Sequence, residues 1–160
     1  MRTLKAVFCL LVVVTALATG CKKDKDESEA ESSKNNYTYL DATTKIIGAR
    51  SVIVTVLNVN TLSVTLVGEG TSKWVQLFFY KSGTTVPTGS FVYKTNLDNS
   101  YNPVTNFSGG NVNLDIANAH EINGGTLNVT KDGDNYTITL DAKTSRGPVK
   151  ATYVGKITAQ

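Results

Sequence analysis

Residues 126–141 read TLNVTKDGDNYTITLD. Two strand-like runs, TLNVTK and YTITLD, flank Asp132-Gly133-Asp134-Asn135, where the Asp-Gly pair supplies positive φ at low cost. The stretch is a β-hairpin, and its style carries through the chain. From Tyr37 onward the sequence is rich in Thr, Val, Asn, Gly and Tyr, in short alternating runs separated by turn residues. That spacing predicts an all-β domain.

Upstream, RSVIVTVL (residues 50–57) and TLSVTLV (61–67) pair as a hairpin about Asn58-Val59-Asn60. KWVQLFFY (73–80) is apolar on both faces, Trp74, Gln76, Phe78 and Tyr80 on one and Val75, Leu77 and Phe79 on the other, which reads as a strand covered on both sides. Residues 96–110 form a long polar loop. Val112, Leu114 and Ile116 alternate with polar residues as a half-buried strand, and residues 149–158 close the domain. Two three-strand patterns echo each other: TLSVT and TLNVT each precede an aromatic-led strand, at Trp74 and Tyr136, and then a strand with Tyr93 or Tyr153. Two similar meanders favour two sheets packed face to face. The expected fold is therefore an antiparallel β-sandwich of about eight to ten strands, with a lipocalin-like β-barrel as the alternative.

The amino-terminal segment is different in kind. Arg2 and Lys5 precede AVFCLLVVVTAL (residues 6–17), an apolar run too short to cross roughly 30 Å of hydrocarbon as a helix. Ala18-Thr19-Gly20 then meets Cys21. This resembles the lipobox of bacterial lipoproteins, with Ala18 where Leu is commonest. The resemblance implies a cleaved signal peptide over 1–20, palmitate-type acylation of Cys21 and a membrane anchor through it. Residues 22–36, KKDKDESEAESSKNN, hold no apolar side chain larger than alanine and read as a solvated tether to a single domain over 37–160. The acidic residues after Cys21 are similar to those that direct Bacteroidetes lipoproteins to the outer face of the outer membrane. Lys22, Lys23 and Lys25 dilute the match, and a periplasm-facing placement is the alternative. Residues 124–157 also look like the last meander of small Bacteroidetes surface lipoproteins.

Charge excludes one class of partner. Loss of Arg2 and Lys5 with the signal takes the formal charge from +3 to +1, and the remaining basic residues are scattered, so no nucleic-acid surface is expected. With Cys9 in the signal and Cys21 acylated, the domain has no disulfide, thiol nucleophile or thiolate metal site. His120 is the sole histidine; beside Glu121 it reads as a rim residue rather than a metal ligand. The domain carboxylates Asp41, Glu69, Asp98, Asp115, Glu121, Asp132, Asp134 and Asp141 show no paired pattern, and the Asp132/Asp134 turn lacks the remainder of a calcium loop. No catalytic residue, metal or cofactor is expected.

Trp74, Tyr80, Tyr101 and Phe107 are the candidate ligand contacts, since aromatic faces stack on sugar rings. Tyr101 and Phe107, in a loop, are the better surface residues; Trp74, on a central strand with Phe78 and Phe79, reads first as a core residue. The leading expectation is a non-enzymatic, surface-anchored binding or accessory module for polysaccharide. The alternatives are a lipocalin-like carrier of a small apolar ligand and a structural or adhesive envelope subunit that meets other envelope proteins.

Overall fold

A computed structural model describes residues 34–115 and 118–160. The signal peptide, Cys21 and the tether up to residue 33 lie outside the described residues. Every regular element among the described residues is a strand: β1 (Asn36–Tyr39), β2 (Ala42–Val56), β3 (Val59–Gly68), β4 (Trp74–Tyr80), β5 (Gly89–Tyr93), β6 (Asn106–Phe107), β7 (Gly110–Asn113), β8 (His120–Asp132), β9 (Asn135–Thr144), β10 (Gly147–Gly155) and β11 (Ile157–Ala159).

These strands form one closed sheet. The antiparallel ladder runs β1-β2-β3-β4-β7-β8-β9-β10 and returns to β1, where Asn36–Tyr39 pair with Thr152–Val149. The result is an eight-stranded antiparallel barrel of up-and-down order, and it replaces the expected sandwich. Alternation with a period of two only states which residues face inward, and a sandwich and a barrel need the same pattern. Closure depends on pairing residues more than a hundred positions apart.

Closure also breaks the internal echo. β10 lies beside β9, but β5 does not lie beside β4. β7 takes that place, with Trp74 opposite Asn113 and Leu77 opposite Gly110. β5 is wedged instead between β8 and β6. A bulge on β8 and the break between β6 and β7 make room for it. β8 shifts register between Ile122 and Gly124, so that its first residues pair with β7 and residues 126–129 pair with β5. Gly125 sits there at φ 112, where a Cβ would fall on the Asp141 carbonyl and the Ala142 Cα. Phe78 hydrogen-bonds to both Ser108 and Gly109, which turns Phe107 inward.

The inward row is apolar and bulky. Leu62, Val64 and Leu66 of β3, Leu127 and Val129 of β8, and Ile138 and Leu140 of β9 are fully buried. Phe79 and Phe91 meet edge to face with centroids 5.3 Å apart, a favoured aromatic geometry. The outward row of the same walls carries Glu121, Asp141, Lys143 and Lys150 exposed. This polarity is opposite to that of a membrane-spanning barrel, whose outer band is apolar. KWVQLFFY therefore has one core face only. Trp74, Gln76, Phe78 and Tyr80 are half-buried on the outside, where Tyr101 packs edge-on against Tyr80 at 5.9 Å.

The barrel begins slightly earlier than residue 37. Asn36 is in the ladder, and the Asn35 side chain extends it by bonding both the nitrogen and the carbonyl of Val154. Past that point β11 takes the free edge of β2 as a parallel partner. The β2–β3 turn lies at Leu57-Asn58, not at residues 58–60; both residues have positive φ, 49° and 63°, as a two-residue hairpin turn of the right twist requires.

Candidate functional site

Strand direction sorts the loops into two ends. The β1–β2, β7–β8 and β9–β10 turns lie at one end, called here the mouth. The β2–β3 and β8–β9 turns and the carboxyl terminus lie at the other, while β1 enters part-way along the wall, with Asn36 beside Lys45.

The mouth holds a cleft of about 210 Å³ lined by Tyr39, Leu40, Leu114, Asp115, Asn118, His120 and Arg146. Each residue has a local reason to be there. Leu40 and Asp41 form a two-residue turn at positive φ (49° and 62°), leaving Leu40 at the lip. Tyr39 ends β1 facing inward; its hydroxyl shares a hydrogen bond with the Thr144 hydroxyl at 3.1 Å, and its ring lies 5.6 Å from that of His120. The Arg146 turn is held by its backbone nitrogen, which donates to the Thr144 Oγ1 at 3.0 Å. The Asn118 amide donates to both carboxylate oxygens of Asp115, at 3.0 and 3.1 Å.

One buried polar atom here is unsatisfied, and one exposed cation is without an ion pair. The His120 Nδ1 is buried and has no hydrogen-bond partner, the one such side-chain atom found among the described residues. Arg146 forms no ion pair; the two salt bridges among the described residues are Lys150–Asp141 and Lys156–Asp134, both exposed. A buried polar atom without a partner costs about 1–3 kcal/mol, so native proteins rarely keep one without use. The cleft thus offers an imidazole and a guanidinium, with the Asp115 carboxylate held by the Asn118 amide, beside the apolar Leu40 and Leu114 and the Tyr39 ring. Its volume lies below the roughly 300–1,000 Å³ of most ligand pockets, so it suits a single small group.

No group of three metal-ligating side chains occurs among the described residues. A second, more open groove of about 300 Å³ lies at the opposite end, between the β4–β5 loop at Lys81 and the Pro103-Val104 segment.

Of the four aromatic candidates, the fold brings together Tyr80 and Tyr101 and leaves Trp74 and Phe107 apart from them. Phe107 is fully buried against Tyr93 inside the barrel, so it is no surface contact: the break at residues 108–109 aims it inward. The Tyr101 hydroxyl accepts from the Tyr80 nitrogen and donates to the Asn106 carbonyl, and its ring stands at 68° to that of Tyr80. Trp74 and Tyr80 share the outer face of β4, six residues or about 20 Å apart. The sequence marked His120 as a rim residue, and the rim is where it sits. Arg146 went unmarked, because a Ser-Arg-Gly turn reads as turn chemistry alone.

No protein-family model matches the chain, and no curated protein or solved structure matches it either.

Proposed function

We propose that this chain is a lipid-anchored envelope protein whose barrel is a non-enzymatic binding module, taking a small ligand at its mouth rather than in its lumen. The reading joins the lipocalin-like alternative with the anchor expected at Cys21. The observation that carries it is the buried, unpartnered Nδ1 of His120 in a cleft shared with an unpaired Arg146. A lumenal carrier has little room, since Phe79, Phe91, Phe107, Tyr37 and Tyr39 fill the interior. A polysaccharide platform draws less support, because its four aromatics are divided between core, loop and strand face.

The ligand expected is a small anion with an apolar portion, a carboxylate or phosphate monoester. The Arg146 guanidinium matches such groups with paired donors, and protonated or tautomerised His120 donates a further hydrogen bond. The test is a panel of small carboxylates, phosphates and neutral sugars titrated while following the imidazole resonances of His120, the sole histidine. Saturable shifts with anions that vanish in Arg146→Ala support the reading. Silence from every anion, or equal shifts in Arg146→Ala, rejects it.

A further inference from the structure

The β2–β3 hairpin projects beyond the barrel at the end opposite the mouth. β2 loses its last other neighbour at Ser51, where β11 stops, and β4 ends at Tyr80 opposite Thr61. Residues 55–60 are therefore a bare two-stranded tip, and Ile53 and Val54 form its base, backed by β4 only on the β3 side. It exposes apolar side chains on both faces and at its point, alongside Thr55, Asn58 and Asn60: Ile53 is 37 % exposed, Val54 52 %, Val56 62 % and Leu57 93 %. Leu57 also occupies the left-handed region, which costs roughly 1–2 kcal/mol for a residue with a Cβ and which Asn or Gly fills more cheaply. Neither burial nor turn chemistry accounts for a leucine there.

We propose that Ile53, Val54, Val56 and Leu57 insert into the lipid surface that carries the anchor. The inference rests on the reading of Cys21 as an acylated residue. The chain enters β1 running away from the tip, with Asn36 beside Lys45, eleven residues or about 36 Å along β2 from Val56. Two features favour lipid over a protein partner. Thirteen residue steps separate Cys21 from Lys34, which at about 3.3–3.6 Å each reach at most ~45 Å, long enough for the acyl group to lie level with the tip. The base of the tip bears Tyr80 and Lys81, with the Lys81 Nζ 5.6 Å from the Tyr80 ring, a pairing suited to the headgroup layer. The acidic Asp132–Asp134 turn at this end lies on the opposite wall, so the barrel meets the surface tilted onto β2 and β3. In that pose the mouth faces away from the membrane.

The test uses the full chain purified from membranes and reconstituted into vesicles of phosphatidylethanolamine and phosphatidylglycerol. Intact mass reads acylation of Cys21 independently. An environment-sensitive fluorophore is placed on Leu57→Cys, or on Leu40→Cys at the mouth. The expected result is quenching of the Leu57→Cys probe by lipid-phase bromines and its protection from aqueous iodide, with the reverse for the Leu40→Cys probe. Adding Leu57→Asn, which suits the turn and keeps the fold, to a Val54→Cys probe should lower the inserted-to-free ratio about tenfold, the effect of one leucine side chain leaving the apolar phase. An acylated, vesicle-bound protein whose Leu57→Cys probe stays open to iodide overturns the insertion and leaves the anchor standing. Protection from iodide without bromine quenching overturns it in favour of a second copy or a protein partner. An unmodified Cys21 removes the anchor, and a tip probe then silent to lipid bromines removes the insertion with it.

Discussion

The Tyr37 hydroxyl donates to the Asn113 carbonyl at 2.8 Å, and the two residues stand on β1 and β7, diametrically opposite walls of the eight-stranded barrel. One phenol thus spans the interior and ties both sides together. Tyr37→Phe should remove that donor and cost about 1–3 kcal/mol in urea unfolding, because the Asn113 carbonyl stays buried. Tyr37→Ala should cost about 3–5 kcal/mol and leave a cavity. If the filled lumen is what prevents apolar ligands from entering, this variant should bind a hydrophobic dye that the parent ignores. Dye binding by the parent would show that the lumen already opens.

Alkaline pH should unfold the barrel earlier than charge alone would suggest. Burial raises the phenol of Tyr37 above its ordinary 10.0, with a hydrogen bond to Thr44 partly opposing it. Burial also raises those of Tyr101 and Tyr153, and for Tyr101 hydrogen bonds with Tyr80 and Ser108 oppose the rise. A phenol with a raised folded pKa holds its proton more tightly in the fold. Its contribution is complete below pH 10 and is lost as pH climbs toward the folded value. Urea midpoints should be flat from pH 8 to 10 and fall above it, and Tyr37→Phe should blunt the fall.

At the mouth, stability and binding should move in opposite directions. His120→Phe removes the buried, unpartnered Nδ1 and keeps an aromatic beside Tyr39, so the ligand-free barrel should gain about 1 kcal/mol. The same variant should lose anion binding. Arg146→Ala should leave the melting temperature nearly unchanged, since the side chain pairs with no carboxylate, and weaken anion binding about tenfold to a hundredfold. A His120→Phe variant that melts below the parent would mean that the imidazole is structurally satisfied.

The β8 bulge should tolerate no side chain. Gly125→Ala forces a Cβ onto the Asp141 carbonyl at a φ of 112°, and should cost about 3–4 kcal/mol by thermal or urea unfolding. Gly133→Ala offers a comparison. Its φ is also positive, at 55°, but nothing lies near the added Cβ, so the loss should stay near 1 kcal/mol. Equal losses at the two sites would mean that backbone conformation, not crowding at the bulge, sets the requirement.

The sequence by itself determined the strands and inward rows of β8, β9 and β10, but not the single core face of β4, the end of β7 at Asn113 or the short β6 within the expected loop. The hairpin about Gly133, one residue later than read because Asp132 pairs with Asn135, the alternation through Leu127 and Val129, and that through Val149, Ala151 and Tyr153 all appear in β8, β9 and β10. These are local properties: each depends on neighbours two to four positions away, and local sequence carries them. Tertiary structure alone decided that the sheet closes, that β7 displaces β5 beside β4, that Phe107 turns inward, and that Tyr39, His120 and Arg146 share one rim. Those facts depend on pairing between segments as distant as residues 36–39 and 149–152, and on bulges that shift register by a residue. A period of two is unchanged by either, so alternation could mark what was buried but not what it was buried against.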